Sequence, residues 1–302
     1  MSQPESARSL RFDTYGGPEV LHFIDREVPA PGEGKVRVRV RTVGLNPADS
    51  KTRAGAWAPA LPSGIGRELA GTVEAVGAGV HTWQVGDDVF GFAATGALAE
   101  LVVTSATNLT RKPEALDWTT AGGLALAGLT AWSSTASQHL GPDDTVLVSA
   151  AAGGVGVIAA QLARRTGARV IGTASPANHD FLRSLDIEPV AYGDGLVNAV
   201  RALGPVTAVL DNNGPDTVEA GLALGVSPER INTIATDAAR YGIRSVGRGD
   251  VDVAALDELA RLVIAGELIV PIDSTFAFDD AVAAFEKLDG GHARGKIVVI
   301  VS

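Results

Sequence analysis

No cysteine occurs among the 302 residues, which excludes disulfides, a thiol nucleophile and cysteine-ligated zinc. The five histidines (His22, His81, His139, His179 and His292) are scattered. None stands four residues from another, as two metal ligands on one helix face would. A catalytic metal is therefore not expected. Positive charge is also scarce: 25 Lys and Arg face 35 Asp and Glu, a net charge of −10, which argues against nucleic acid as the main partner. No run approaches the ~18–20 apolar residues of a membrane helix, so a membrane is not an expected partner. The polar segment Met1–Ser9 lacks the apolar core of a signal peptide and reads as a short disordered tail. The chain reads as a soluble, cytoplasmic protein without internal repeats or low-complexity tracts.

Paired carboxylates do occur, at Asp87-Asp88, Asp143-Asp144 and Asp279-Asp280. Each lies beside a glycine turn or at a helix start, so caps and solvated turns account for them better than acid/base chemistry.

The length suits two domains. Up to residue 118, short β-rich runs alternate with turns. Val36-Arg-Val-Arg-Val-Arg-Thr-Val43 alternates strictly, while Ala70–Val76 and Leu98–Val103 are strand-like. From 119 to 267 strand-helix repeats take over, including Val206–Asp211 and Arg230–Ala235, the pattern of a doubly wound parallel sheet in an α/β fold. Residues 268–302 carry an amphipathic helix at Asp279–Leu288 and a closing strand at Lys296–Val301, and are expected to return to the first domain.

The richest signal is Thr145-Val-Leu-Val-Ser-Ala-Ala-Ala-Gly-Gly-Val-Gly156, which runs into a helical pattern from Val157. A β-branched run ending in glycines and restarting as a helix is either a tight βα connection or a pyrophosphate-binding turn. The G-x-G-x-x-G form is broken, with Ala151 where its first glycine would stand. A second strand, Arg169–Ala174, completes a βαβ unit of roughly 30 residues, which favours the dinucleotide. Ala152, Gly153, Gly154, Val155 and Gly156 then form the phosphate turn.

An NAD site has an acidic residue about 20 residues past the glycines, on the ribose hydroxyls. Here the chain reads Ala174-Ser-Pro-Ala-Asn-His-Asp180, with no carboxylate at the strand end. Ser175, Asn178 and His179 are hydrogen-bonding groups suited to a 2′-phosphate, although Ser175-Pro176 also reads as a helix cap. NADPH is the expected cofactor, with Asp180 the one nearby acid.

The order of β domain, glycine-turn domain and terminal return resembles the zinc-independent branch of the medium-chain dehydrogenase/reductase superfamily, and within it the ζ-crystallin-like NADPH:quinone oxidoreductases. The likeness covers nearly the whole chain. Its motifs are Gly44-Leu-Asn-Pro-Ala-Asp-Ser-Lys51, Gly66–Gly77, Val85-Gly-Asp-Asp-Val-Phe-Gly91, Ala127-Gly-Leu-Thr-Ala-Trp132 and Ala150–Gly156. It implies a Rossmann sheet plus a GroES-like β-barrel domain, and a homodimer. It also implies that Asn46 lies near the nicotinamide, that Thr130 contacts the ring or its ribose, and that Asn212 and Asn213 lie over the adenosine side. Lys296 either approaches the cofactor or ends a strand in solvent. Two departures stand out. No tyrosine follows the Asn-Pro turn, and the span from Gly91 to Leu98 is too short for the lobe that carries zinc in the other branch.

Hydride transfer to a quinone or to the β-carbon of an enone is the cofactor's own chemistry; the protein aligns the acceptor and supplies hydrogen-bond donors to its oxygen. Asn46, Lys51 and Arg53 lie in the segment expected to supply them, although Lys51 and Arg53 also read as surface charges. Trp57 either lines the acceptor pocket or packs the loop. The expected function is an NADPH-dependent, metal-free reductase of quinones or α,β-unsaturated carbonyls, an enoyl reductase included. The alternative is an NADPH-binding redox-responsive or structural protein with little turnover.

Overall fold

The computed structural model describes residues 5–250 and 252–302. The chain divides into two units, one comprising Met1–Leu126, Leu256–Ala265 and Pro271–Ser302, the other Ala127–Ala255 and Gly266–Val270.

The chain opens with strands β1 (Glu5–Phe12), β2 (Leu21–Val28) and β3 (Lys35–Leu45), followed by helix α1 (Pro47–Arg53). Strands β4 (Ser63–Gly64), β5 (Glu68–Val76), β6 (Asp88–Phe92), β7 (Leu101–Ser105) and β8 (Leu109–Arg111) follow, then helix α2 (Trp118–Ala136). β1 is the centre of a three-stranded sheet ordered β2-β1-β4. The expected tail is thus partly structured: Glu5–Ser9 pairs antiparallel with Ile24–Val28, burying Ala7 and Ser9. Its residues are too small and polar to announce a strand, and the remainder of the tail, residues 1–4, lies outside the described residues.

β3 buries Val36, Val38 and Val40 as its alternation predicts, and Val43, of opposite parity, is buried beyond a register shift between Val40 and Thr42. Arg37 breaks the pattern. It is 2% exposed, paired with Glu74 and donating to the Val28 carbonyl at 3.3 Å. The expected strand at Leu98–Val103 starts only at Leu101, because Leu98 N–H bonds the Ile65 carbonyl and Ala99 makes an isolated bridge to Ser9.

Next comes the α/β repeat: β9 (Thr145–Val148), α3 (Gly156–Arg165), β10 (Arg169–Thr173), α4 (His179–Ser184), β11 (Glu188–Val190), α5 (Leu196–Leu203) and β12 (Ala208–Asp211). It continues with α6 (Pro215–Ala223), β13 (Ile231–Thr233), α7 (Ala238–Tyr241) and β14 (Arg244–Ser245). All pairings in this sheet are parallel, in the order β11-β10-β9-β12-β13-β14. That is the 3-2-1-4-5-6 order of a dinucleotide-binding sheet, whose ligands bind beyond the carboxyl ends of the strands where the order reverses, here around β9 and β12. Its core gathers Leu147, Ile171, Val200, Val209 and Ile231.

The chain ends with α8 (Ala255–Ile264), β15 (Ile272–Ala277), α9 (Ala281–Asp289) and β16 (Lys296–Ile300). β16 pairs antiparallel with β3, so the tail joins the seven-stranded sheet β15-β16-β3-β5-β6-β8, in which β7 also pairs with β3. Helix α8 groups with this first unit rather than with the α/β repeat in which the sequence reading puts it. The Thr110 hydroxyl, bonded to the Asp257 carboxylate, ties it there. Phe278, Ala281 and Phe285 of the returning segment join Phe12, Val38 and Leu69 in one core. Among the described residues no helix is long and apolar enough to cross a membrane.

Candidate functional site

The glycine turn sits where β9 gives way to α3. Ala150 takes a positive φ of 47°, and its backbone N–H bonds the Thr173 hydroxyl at 3.1 Å. Ala151 N–H bonds the Thr173 carbonyl at 2.9 Å, so the turn is stapled to the end of β10. Ala151 is accommodated by a glycine elsewhere: a Cβ on Gly172 would lie 2.6 Å from the Ala151 side chain. A Cβ on Gly156 would lie 2.1 Å from the Ala150 carbonyl oxygen, so the helix can start this close to the turn only without a side chain there. Ala151 and Ala152 are buried while Gly153, Gly154 and Val155 stay partly open. Val157 N–H bonds the Gly153 carbonyl at 3.0 Å and Ala159 N–H the Val155 carbonyl at 2.9 Å, so what the turn offers an anion is the positive end of α3 and the open glycines ahead of it.

Two further loops leave the carboxyl ends of neighbouring strands. After β10, Asn178 Nδ2 donates to Ser175 Oγ at 3.3 Å, and the His179 ring lies 3.3 Å from the Ala174 carbonyl. Asp180 is turned to solvent, its side chain 98% exposed and paired with Arg183 at 2.7 Å. After β12, Asp211 is fully buried. Its Oδ1 accepts from Ser149 Oγ at 3.0 Å and from the N–H groups of Asn213 and Gly214 at 3.1 and 3.0 Å. Its Oδ2 accepts from the Thr233 and Thr236 hydroxyls, both at 2.6 Å. Asn212 gives its N–H to Ser149 Oγ at 2.6 Å, while its Oδ1 is buried with no partner. That orphaned acceptor suits a ligand hydroxyl, and with the open glycines it fits a dinucleotide. Thr130 is buried on α2.

The other unit carries a buried polar cluster at the Asn-Pro turn. Asn46 is 5%, Asp49 1%, Glu68 0% and Lys296 3% exposed. Lys296 Nζ donates to Asn46 Oδ1 at 2.5 Å, to Glu68 Oε1 at 2.9 Å and to the Leu45 carbonyl at 2.8 Å. Asn46 Nδ2 donates to Glu68 Oε1 at 2.7 Å and to the Gly44 carbonyl at 3.3 Å. Glu68 Oε2 accepts from Leu126 N–H at 2.7 Å. Both amide hydrogens of Asn46 and all three ammonium hydrogens of Lys296 are thus engaged within the protein. The structure gives Asn46 no hydrogen to offer an acceptor and Lys296 none for a cofactor. The solvent-exposed reading of Lys296 does not hold either.

Asp49 Oδ2 accepts the Asn46 backbone N–H at 3.0 Å, and burial raises the Asp49 carboxyl from 3.8 to about 7. Lys51 is on the exposed face of α1. Arg53 faces the other way. It donates to the Gly16 carbonyl at 3.1 Å and to Asp289 at 2.5 Å, over the Phe285 ring at 5.4 Å, so it joins α1 to α9 instead of standing ready for a substrate. Trp57 is 57% exposed, with the Arg67 guanidinium 5.6 Å from its ring. Nothing local in the sequence marks Arg67, Glu68, Asp49 or Asp211. Three of them sit in apolar-looking strand or turn contexts, and only their tertiary partners give them away.

Among the described residues no three His, Cys, Asp or Glu side chains are placed to hold a metal. At the Asn-Pro turn an ammonium, Lys296, occupies the centre of the polar cluster, so the residues present do not fit zinc.

Residues 32–114 match the alcohol dehydrogenase GroES-like domain, and residues 190–299 match the zinc-binding dehydrogenase family. The quinone oxidoreductase of Pseudomonas aeruginosa is 33% identical over 97% of this chain and 99% of its own length. Among solved structures, the quinone oxidoreductase of Coxiella burnetii superposes with a TM-score of 0.88 at 31% identity, covering 99% of this chain and 100% of that one. The Escherichia coli quinone oxidoreductase complexed with NADPH superposes with a TM-score of 0.87 at 27% identity, covering 98% and 100%.

Proposed function

Because the chain belongs to the quinone oxidoreductase family of medium-chain dehydrogenase/reductases, we propose that it is an NADPH-dependent reductase of quinones and related α,β-unsaturated carbonyls, working without a metal. The observation that carries the cofactor is the open glycine turn at the start of α3, with the orphaned Asn212 Oδ1 beyond β12. Ala152 to Gly156 would hold the pyrophosphate, and Asn212 and Asn213 the nucleoside. Thr130 would meet the nicotinamide or its ribose. NADPH is favoured over NADH by the pairing of Ser175 with Asn178 at the end of β10 and by the engagement of Asp180 with Arg183. Bound there, the cofactor supplies the hydride. The protein's part is to align the acceptor and to meet the charge that grows on its oxygen.

The segment Asn46–Trp57 would border the acceptor. Asn46, held from below by Lys296 and Glu68, shapes that border, and Lys51 adds positive charge at its rim. Homodimerisation belongs to the same reading and is checked by sedimentation. A second reading, NADPH binding with little turnover, draws on the saturated amide of Asn46. NADPH oxidation followed at 340 nm with 1,4-benzoquinone, 9,10-phenanthrenequinone, 2-cyclohexenone and crotonyl-CoA separates the two. Turnover with a quinone or enone supports the reductase. Tight NADPH binding without turnover supports the binding protein.

A further inference from the structure

Asn46 has spent both amide hydrogens, Arg53 is committed to Asp289 and Gly16, and Lys51 points outward from α1. Beside them, Arg67 engages one nitrogen of its guanidinium in a hydrogen bond within the protein. Arg67, at the entry to β5, lies along the inner face of α1. Its Nη2 donates to Thr52 Oγ1 at 3.0 Å. Its Nε is 4.0 Å from Asp49 Oδ1, an oxygen that is itself buried without a partner. The guanidinium lies over the exposed indole of Trp57, and its side chain is 32% exposed.

From this arrangement we infer that Arg67 is the catalytic donor to the acceptor's carbonyl oxygen, with the acceptor ring meeting Trp57. Thr52 holds the guanidinium from the α1 side, with Asp49 Oδ1 4.0 Å from its Nε, and the bond to Thr52 limits how the remaining N–H groups can turn. The inference rests on the reductase reading and deepens it by naming the donor. In the reaction the quinone gains a hydride, two electrons and one proton together, and the cofactor is oxidised to NADP⁺. The quinone oxygen that becomes negative is met by Arg67 and then takes a proton from solvent, giving the hydroquinone. An Arg is suited to this step because its charge is permanent and its fork of donors is rigid.

The test compares wild type with Arg67→Met, Arg67→Lys and Trp57→Phe, using 9,10-phenanthrenequinone and 2-cyclohexenone. For Arg67→Met, kcat with the quinone is expected to fall on the order of 100-fold, with partial recovery in Arg67→Lys and an unchanged Kd for NADPH. Trp57→Phe should raise KM for the quinone more than for the enone. Wild-type kcat in Arg67→Met overturns the inference; if that variant does not fold, Arg67→Gln, which retains a donor for Thr52, is measured by the same criterion.

If wild type itself turns nothing over, the reductase reading fails, and placement is read separately by quenching of tryptophan fluorescence with 2-hydroxy-1,4-naphthoquinone. Quenching that needs both Trp57 and Arg67 keeps the docking site. Equal quenching in wild type and Arg67→Met removes it.

Discussion

Lys296 Nζ lies 2.5 Å from Asn46 Oδ1 across 250 residues of sequence. The last strand of the chain thereby reaches back to fix the amide of the Asn-Pro turn, with Glu68 closing the triangle through bonds to both. A side-chain amide in this position cannot flip, because one orientation alone offers an acceptor to the ammonium and a donor to the carboxylate.

Replacing Lys296 with Met leaves the carboxylate of Glu68 buried with its charge uncompensated. The expected cost is about 3–5 kcal/mol, read by urea denaturation. The double variant Lys296→Met/Glu68→Met should recover much of it, since removing both partners removes the unpaired charge. If the single variant were as stable as wild type, the pair would not be the strut described.

Asp49 predicts a pH dependence. Its carboxyl rises from 3.8 to about 7 through burial, so the folded chain holds the proton in a range where the unfolded chain has lost it. Its contribution to stability is fully present below pH 3.8 and falls as pH rises toward 7. The slope is on the order of 1.4 kcal/mol per pH unit. Asp49→Asn keeps an acceptor for the Asn46 N–H and removes the titration. The Tm of this variant relative to wild type should therefore increase between pH 5 and pH 8, and a constant difference would contradict the buried-acid account.

The two glycines of the turn should fail differently. Gly156→Ala puts a Cβ 2.1 Å from a backbone carbonyl, and is expected to destabilise by about 1–3 kcal/mol or more. Gly153→Ala meets the same carbonyl at 3.2 Å, a tight contact that a shift of a few tenths of an ångström relieves. It should keep the fold but weaken NADPH binding by blocking close approach of the pyrophosphate. Thermal melts and fluorescence titration with NADPH distinguish the two losses.

Ser175→Asp installs at the end of β10 the carboxylate that a ribose diol accepts and a 2′-phosphate rejects. The ratio of Kd values for NADPH and NADH should move toward NADH. An unmoved ratio would place the selectivity outside this loop.

Local pattern was enough to read the α/β repeat, the glycine turn and the closing strand, because strand alternation, glycine clusters and helix starts are short-range consequences of backbone geometry. The start of β1 is not legible for the converse reason: Glu5-Ser-Ala-Arg-Ser carries almost no apolar contrast, and only pairing with β2 makes it a strand. Arg37 escaped because alternation assigns a charged residue to solvent, whereas Glu74 and the Val28 carbonyl keep it inside.

By itself the sequence determined the two-part architecture and the glycine turn between β9 and α3, since both follow from residues close together in the chain. Tertiary structure decided what each polar side chain is free to do. Lys296 spends its hydrogens on Asn46, Glu68 and the Leu45 carbonyl, Asn46 spends its own on Glu68 and the Gly44 carbonyl, Arg53 is drawn to Asp289, and Arg67 keeps N–H groups to offer. Hydrogen-bonding capacity is finite at every atom, and its allocation depends on partners that only folding brings within 3 Å or so.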